Sequence, residues 1–299
     1  MASAAPQQSA LAPLLAVAKE VSFAKGARLV KQGEAARGAF LIRAGEAEAQ
    51  VSLPGGGTLA VAAFAPGAMF GEMSLVERGV CSASVMAKTD VAGWFVARED
   101  FRALVASRDP AALQVQRAIT RSLAERLRAL NATVRGHAAP EDRAAREAPP
   151  AGDPLAGVER AARAFPGWRA FLPLLPFFEH FDAEGTEALL AIAQVLEVPR
   201  GAWLFAQGQN ARAAFVVLRG AAEVLSAANG RERRVAICGP GELVGYMALL
   251  EGAAHGASAR AREAATMLEL PRAPLLAIYA GSSPASVGLQ HAIQKSLLK

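Results

Sequence analysis

Cysteine is nearly absent: among 299 residues only Cys81 and Cys238 occur, far apart and in no metal-ligand spacing. This excludes a disulfide-stapled scaffold and a cysteine metal site, and a reducing cytoplasm fits best. Histidine is almost as scarce. His137, His180, His255 and His291 are scattered, so no Ser/His/Asp or Cys/His arrangement can be placed. There is no P-loop, no GxGxxG after a strand and no His-Glu-x-x-His. No catalytic residue and no metal ligand is therefore named, and the chain reads as non-enzymatic. Long apolar runs are missing too. The stretch from Ala10 to Ala18 is too short to span a bilayer and lacks a basic flank, so it reads as an amphipathic leading helix rather than a cleaved signal.

What is present is enough for a packed core. Hydrophobic residues make up 53% and charged residues 20%, over a length that suits about two domains. The net charge of +5 is modest for this length and does not by itself point to nucleic acid.

The chain repeats itself. Lys25–Glu48, KGARLVKQGEAARGAFLIRAGEAE, matches Arg200–Glu223, RGAWLFAQGQNARAAFVVLRGAAE, at an offset of 175. After one deletion the offset is 174, and Pro66-Gly67 meets Pro240-Gly241, Gly71 meets Gly245 and Ser84 meets Ser258. So long a match with a single gap means two copies of one domain. Each copy reads as short strands broken by glycine turns, with hairpin tips at Gly55–Gly57 and Asn229-Gly230, which predicts a sandwich or barrel. Helices flank the strands. Asp109 is an N-cap followed by Pro110, and Asp182 is a second cap. Ile119, Leu123, Leu127, Leu130 and Val134 share one helical face, which either packs on its own β-domain or pairs with another helix. Gly136–Gly157 is rich in Ala, Pro and charge and reads as a linker. The expected domains are 1–135, with the trailing helix, and 158–299, joined by 136–157.

The motifs GARLVKQGE, AFLIRAGEAE, PGAMFGEMSLVERGVCSASV and FVAREDF, with their second-copy partners GAWLFAQGQ, AFVVLRGAAEV and PGELVGYMALLEGAAHGASA, stand in the order of a known family. The chain resembles the cyclic nucleotide-binding domain family, in two tandem copies and without a helix-turn-helix domain. The resemblance implies an α+β, mainly β fold: two tandem antiparallel β-rolls, jelly-roll-like, with flanking helices. It also implies a phosphate-binding cassette in each copy. There a glutamate accepts hydrogen bonds from ribose, and a later arginine neutralises the cyclic phosphate.

Carried over residue by residue, the first cassette comprises Phe70, Gly71, Glu72, Met73, Ser74, Cys81, Ser82, Ala83 and Ser84. Cys81 stands where the arginine belongs. The second comprises Gly245, Tyr246, Met247, His255 and Ser258, with Tyr246 in place of the glutamate and His255 in place of the arginine. His255 reads as a partly exposed loop residue and Tyr246 as filler where ribose would lie. Arg78 is a reserve cation at a loop tip, Arg260 and Arg262 are strand charges, and Glu77 and Glu251 are solvated loop acids. Losing a bidentate arginine weakens phosphate binding by roughly a hundredfold. Binding of cyclic AMP or cyclic GMP is thus expected to be weakened at the first site and lost at the second, and a less anionic ligand stays open for the first.

Two function classes remain. One is a cytoplasmic regulatory protein whose ligand, a cyclic nucleotide or another small nucleotide, binds near Gly71–Ser84. The other is a ligand-free scaffold for dimerisation or partner docking. No cofactor is expected beyond such a ligand, no DNA-binding domain and no membrane span. The partner is either a second copy, joined through the 110–135 helix, or a regulated protein.

Overall fold

The computed structural model describes residues 12–53, 56–76, 79–135, 143–144, 149, 152–162, 164–228 and 231–298. Contacts divide the chain into two compact units, Met1–Ile119 and Thr120–Lys299.

The first unit opens with a short helix, α1 (Ala12–Val17). Eight strands come next: β1 (Lys19–Phe23), β2 (Arg28–Val30), β3 (Gly38–Ala44), β4 (Ala47–Ser52), β5 (Thr58–Phe64), β6 (Met69–Phe70), β7 (Ser84–Ala87) and β8 (Val91–Ala97). They form two antiparallel four-stranded sheets, ordered β1-β8-β3-β6 and β2-β7-β4-β5. Between β6 and β7 sits α2 (Met73–Val76), and after β8 come α3 (Arg98–Ala106) and α4 (Pro110–Arg135). Asp109 caps α4, its carboxylate accepting from the backbone N–H of Ala111 and Ala112.

The second unit repeats this plan with one more strand on each sheet. Its strands are β9 (Arg143–Ala144), β10 (Glu159–Ala161), β11 (Gln194–Val198), β12 (Trp203–Phe205), β13 (Ala213–Arg219), β14 (Ala222–Ala228), β15 (Arg231–Cys238), β16 (Leu243–Val244), β17 (Ser258–Ala261) and β18 (Ala265–Pro271). The sheet orders are β10-β11-β18-β13-β16 and β12-β17-β14-β15-β9. Removing β9 and β10 restores the order of the first unit strand for strand. The helices are α5 (Trp168–Phe171), α6 (Ala183–Ile192), α7 (Tyr246–Glu251), α8 (Arg272–Ala280) and α9 (Pro284–Leu297). Asp182 caps α6 as expected, accepting from Gly185 N–H.

Even the irregularities recur. The ladder slips between Arg28 and Val30 and again between Trp203 and Phe205, and between Ala49 and Gln50 and again between Val224 and Leu225. The last slip leaves Val61 and Val235 without a cross-strand partner on β5 and β15.

Three expectations change. The domain boundary was expected after residue 135, but the chain divides at Ile119/Thr120, because the second half of α4 packs with the segments C-terminal to it. Ala124 is fully buried in the second unit's core, and Leu123 and Leu127 lie against the same cluster. The apolar face of α4 is thus covered within the chain at these positions and needs no second copy there. The side chains of Leu130 and Val134 lie outside the described residues. The expected linker also contributes structure: β9 extends β15, and Leu155 is buried in the second core. No described helix is long and apolar enough to cross a membrane.

Candidate functional site

The two cassettes share one backbone frame. In the first, Gly33 N–H donates to the Cys81 carbonyl (2.8 Å) and Cys81 N–H to the Glu34 carbonyl (2.8 Å). In the second, Gly208 N–H donates to the His255 carbonyl (2.9 Å) and His255 N–H to the Gln209 carbonyl (2.9 Å). Ser84 Oγ accepts from Gln32 N–H at 3.0 Å, and Ser258 Oγ accepts from Gln207 N–H at 2.9 Å. These hydroxyls, predicted as ligand contacts, hold the preceding turn to the strand. Gly71 and Gly245 both take a left-handed conformation, φ 74° and 83°. A Cβ on Gly71 would come within 2.8 Å of the Gly38 carbonyl oxygen, and one on Gly245 within 2.9 Å of the Phe205 ring. Glycine is required at both positions on two grounds, conformation and space.

The contents of the two frames differ. Phe70 is 4% exposed, stacks on Phe40 at 5.0 Å and packs tilted against Phe64 at 4.9 Å, so it belongs to the core of the first unit. Ser74 in α2 is buried, and its hydroxyl donates to the Gly71 carbonyl (2.7 Å). Glu72, Met73, Cys81, Ala83 and Ser84 are partly exposed, and Gly71 and Ser82 are exposed. Burial first, and the Glu34 carboxylate second, push the Cys81 thiol up, so it stays a neutral SH at physiological pH. Glu34 in turn pairs with Lys31 at 3.3 Å. Glu77 and Arg78 lie outside the described residues.

The side chains of the second cassette are more deeply buried. His255 is not a partly exposed loop residue: it is 6% exposed and stacks face to face on Phe205, centroids 3.8 Å apart and planes 10° from parallel. Burial, with the Arg128 guanidinium adding to it, pulls its pKa down to about 4, so the ring is neutral. Tyr246 is buried as well, and burial pushes its phenol up, with Cys238 a second contributor. Met247 is half-buried against the core. Arg260 does not face the cassette: its Nε donates to Glu223 at 2.8 Å, and its guanidinium lies over Trp203. Glu251, expected to be a solvated loop acid, has a side chain only 6% exposed and pairs with Arg128 Nε. Arg128 Nη1 also donates to the Ala254 carbonyl at 2.9 Å.

Three elements of this arrangement escaped the sequence reading. Phe205 occupies the position of Val30, a contrast legible in the repeat alignment, LVKQG against LFAQG. Arg98 is 8% exposed and donates through Nε to the Ser74 carbonyl and through Nη2 to the Ala36 carbonyl. Its repeat partner Arg272 donates to the matching carbonyl, that of Ala211 (3.4 Å). The shared arginine was visible at the 174 offset. No sequence signal tied Arg128 to Glu251. Among the described residues no cluster of three or more His, Cys, Asp or Glu could hold a metal.

Two matched segments decide the family: the model of the cyclic nucleotide-binding domain fits residues 20–108 and again 195–282. The chain belongs to the cyclic nucleotide-binding domain family. Each of its two domains is an antiparallel β-roll with flanking helices. A curated relative, the cyclic AMP receptor protein of Thermus thermophilus, is 35% identical over 104 residues, which is 34% of this chain and 48% of the relative. The match thus spans about half the length of that relative. Among solved structures, the regulatory domain of Toxoplasma gondii PKA with cAMP is similar over 98% of this chain and 88% of its own, at 16% identity and a TM-score of 0.36. The catabolite activator protein of Thermus thermophilus is similar over 42% of this chain and 57% of its own, at 28% identity and a TM-score of 0.38. With TM-scores this low the structural likenesses carry nothing further, and family membership rests on the two matched segments.

Proposed function

We propose that this chain is a non-enzymatic regulatory protein in which the first cyclic nucleotide-binding domain, at Gly71–Ser84, takes a nucleotide-type ligand while the second is a closed copy that takes none. The observation that carries this reading is the Phe205–His255 stack at 3.8 Å, which fills the second cassette from within. The same positions in the first cassette, Val30 and Cys81, are smaller and partly exposed. Arg98 gives the first cassette a physical link to its neighbours, since it bonds the Ser74 carbonyl within α2 and is itself the first residue of α3. A ligand that prefers one placement of α2 would then bias the helices after it, which is the differential interaction a population shift requires.

The test is hydrogen–deuterium exchange on the full chain against a panel of nucleosides, nucleotides and cyclic nucleotides. Protection at residues 69–87 with none at 243–261 is expected. Protection at both cassettes would show the second to be open. A second reading, the ligand-free scaffold, is favoured by one observation: the hydroxyls of Ser74 and Ser84 are already committed to backbone groups. No protection at either cassette, in protein shown to be folded, would make that reading the better one.

A further inference from the structure

The repeat puts one strand, β5 in the first unit and β15 in the second, at the same place in its sheet, yet the two edges are treated differently. β15 carries β9 on its outer side, with Arg231 opposite Ala144 and Glu232 opposite Arg143, and its next two residues are Arg233 and Arg234. β5 is the last strand of its sheet and has no outer neighbour among the described residues. The sequences differ as well. β15 reads RERRVAIC, whereas β5 reads TLAVAAF, with no charge and no proline. Charge and proline are usual means of keeping an edge strand from pairing with a foreign one, and β5 has neither. It is exposed from Thr58 to Ala63, with Leu59 at 53% and Val61 at 51%. Leu53, on the same hairpin, is exposed too. β15 also exposes Val235 and Ile237, but on a strand guarded by its arginines.

The residue pattern of β5 suits its own copy. An antiparallel pair of identical strands is two-fold symmetric, so each residue meets the one reflected through the strand's centre. The centre of β5 is Val61, which the slip in the ladder leaves without a partner in its own sheet. About that centre Leu59 meets Ala63, Phe64 meets Thr58, Ala60 meets Ala62, and Val61 meets itself. The largest side chains thus face smaller ones, and the central pair is β-branched, as suits a strand. No like charges meet, because β5 has none, whereas the same pairing of β15 would gather Arg233 and Arg234 of both copies at the axis. A charged partner finds nothing on β5 to pair with. We propose that β5 is an interface between two copies of this chain, paired antiparallel about Val61, so that two four-stranded sheets become one continuous sheet. The interface is independent of what the first cassette takes. Burial of Leu59 and Val61 drives it. One strand pair buries less than the about 800 Å² per partner of a standard interface, so the dimer is a weak, micromolar one.

Sedimentation velocity of the full chain from about 1 to 100 µM tests it, and should show a reversible monomer–dimer exchange. Hydrogen exchange at residues 58–64 should slow as the protein is concentrated, with no change at 231–238. Val61→Lys sets two ammonium groups against each other at the axis and should weaken association by at least about tenfold, as should Val61→Glu. Val61 is half exposed and outside the ladder, so both variants should melt as the wild type does. An equal mixture of the two should associate again, because the lysine of one copy then meets the glutamate of the other. Val235→Lys, at the matching position of β15, should change nothing. A chain that stays monomeric over this range would overturn the inference and leave the edge to a strand from another protein. A dimer that survives Val61→Lys would lie on another surface and would overturn it too. A mixture that associates no better than either variant alone would rule out pairing about Val61.

Discussion

Two cassettes built on one frame differ in the burial of their variable side chains, partly exposed in the first and buried in the second. The glycine at positive φ, the serine that ties the turn to the strand and the paired backbone bonds around position 81 or 255 are the same in both. These are groups whose loss would cost stability. The residues that differ are Val30 and Phe205, Glu72 and Tyr246, Cys81 and His255. The rings of Phe205, Tyr246 and His255 are buried in the second unit, and that burial adds to its stability. The second cassette is further held by the Arg128–Glu251 pair.

The largest way to break this comparison is at that pair. Removing Arg128 strands Glu251, whose carboxyl is already pushed up by burial and is held down by Arg128. Because the folded-state pKa is raised, the folded protein holds the proton longer, and stability falls as pH rises above the ordinary carboxylate value of 4.5. Arg128→Ala should cost about 3–4 kcal/mol at pH 8 and less at pH 5. Denaturant melts at the two pH values check this. A loss under about 1 kcal/mol at pH 8, or one that does not vary with pH, would mean the pair does not hold the second cassette.

Next is the imidazole. The pKa of His255 falls from 6.5 to about 4 in the folded state, so the unfolded chain binds the proton more readily between those values. Stability from this group is present above pH 6.5 and is lost as pH drops toward 4, by about 3 kcal/mol in all. His255→Leu should flatten that part of the profile whatever its effect at pH 7. A profile unchanged by the substitution would refute the buried neutral imidazole. The first cassette, with Cys81 at this position, contributes no such slope.

The glycines sharpen the comparison at smaller scale. Gly71→Ala meets a backbone oxygen that cannot turn aside, whereas Gly245→Ala meets the edge of a phenylalanine ring that can. Both incur the left-handed cost, so about 2–3 kcal/mol is expected for the first and about 1–2 for the second. The reverse order in thermal melts would show the Phe205 ring to be the more rigid neighbour. The smallest effect should be equal in the two units. Ser84→Ala and Ser258→Ala each remove one acceptor from a backbone N–H, at about 1 kcal/mol. A cost confined to one unit would show that the frame is not shared after all.

The repeat and its short glycine-punctuated strands could be read from the chain alone, because they rest on local and periodic signals, whereas the β-roll and the cassette positions came from the family resemblance. Glycines at fixed spacing must turn the chain, alternating strands must pair, and Asp109 and Asp182 cap helices within three residues of themselves. The same reading showed that Glu72 is kept and that an arginine is missing at both cassettes. The remaining features depend on residues far apart in the chain, and folding alone brought them together. His255 looked partly exposed because its stacking partner, Phe205, is on a strand far from it in sequence. The seam of α4 looked available to a second helix because the core that covers Leu123 and Leu127 is assembled largely from segments beyond residue 165. Glu251 looked solvated because Arg128 reaches it across more than a hundred residues of sequence. Burial and charge pairing are properties of the assembled neighbourhood, and no window of sequence carries them.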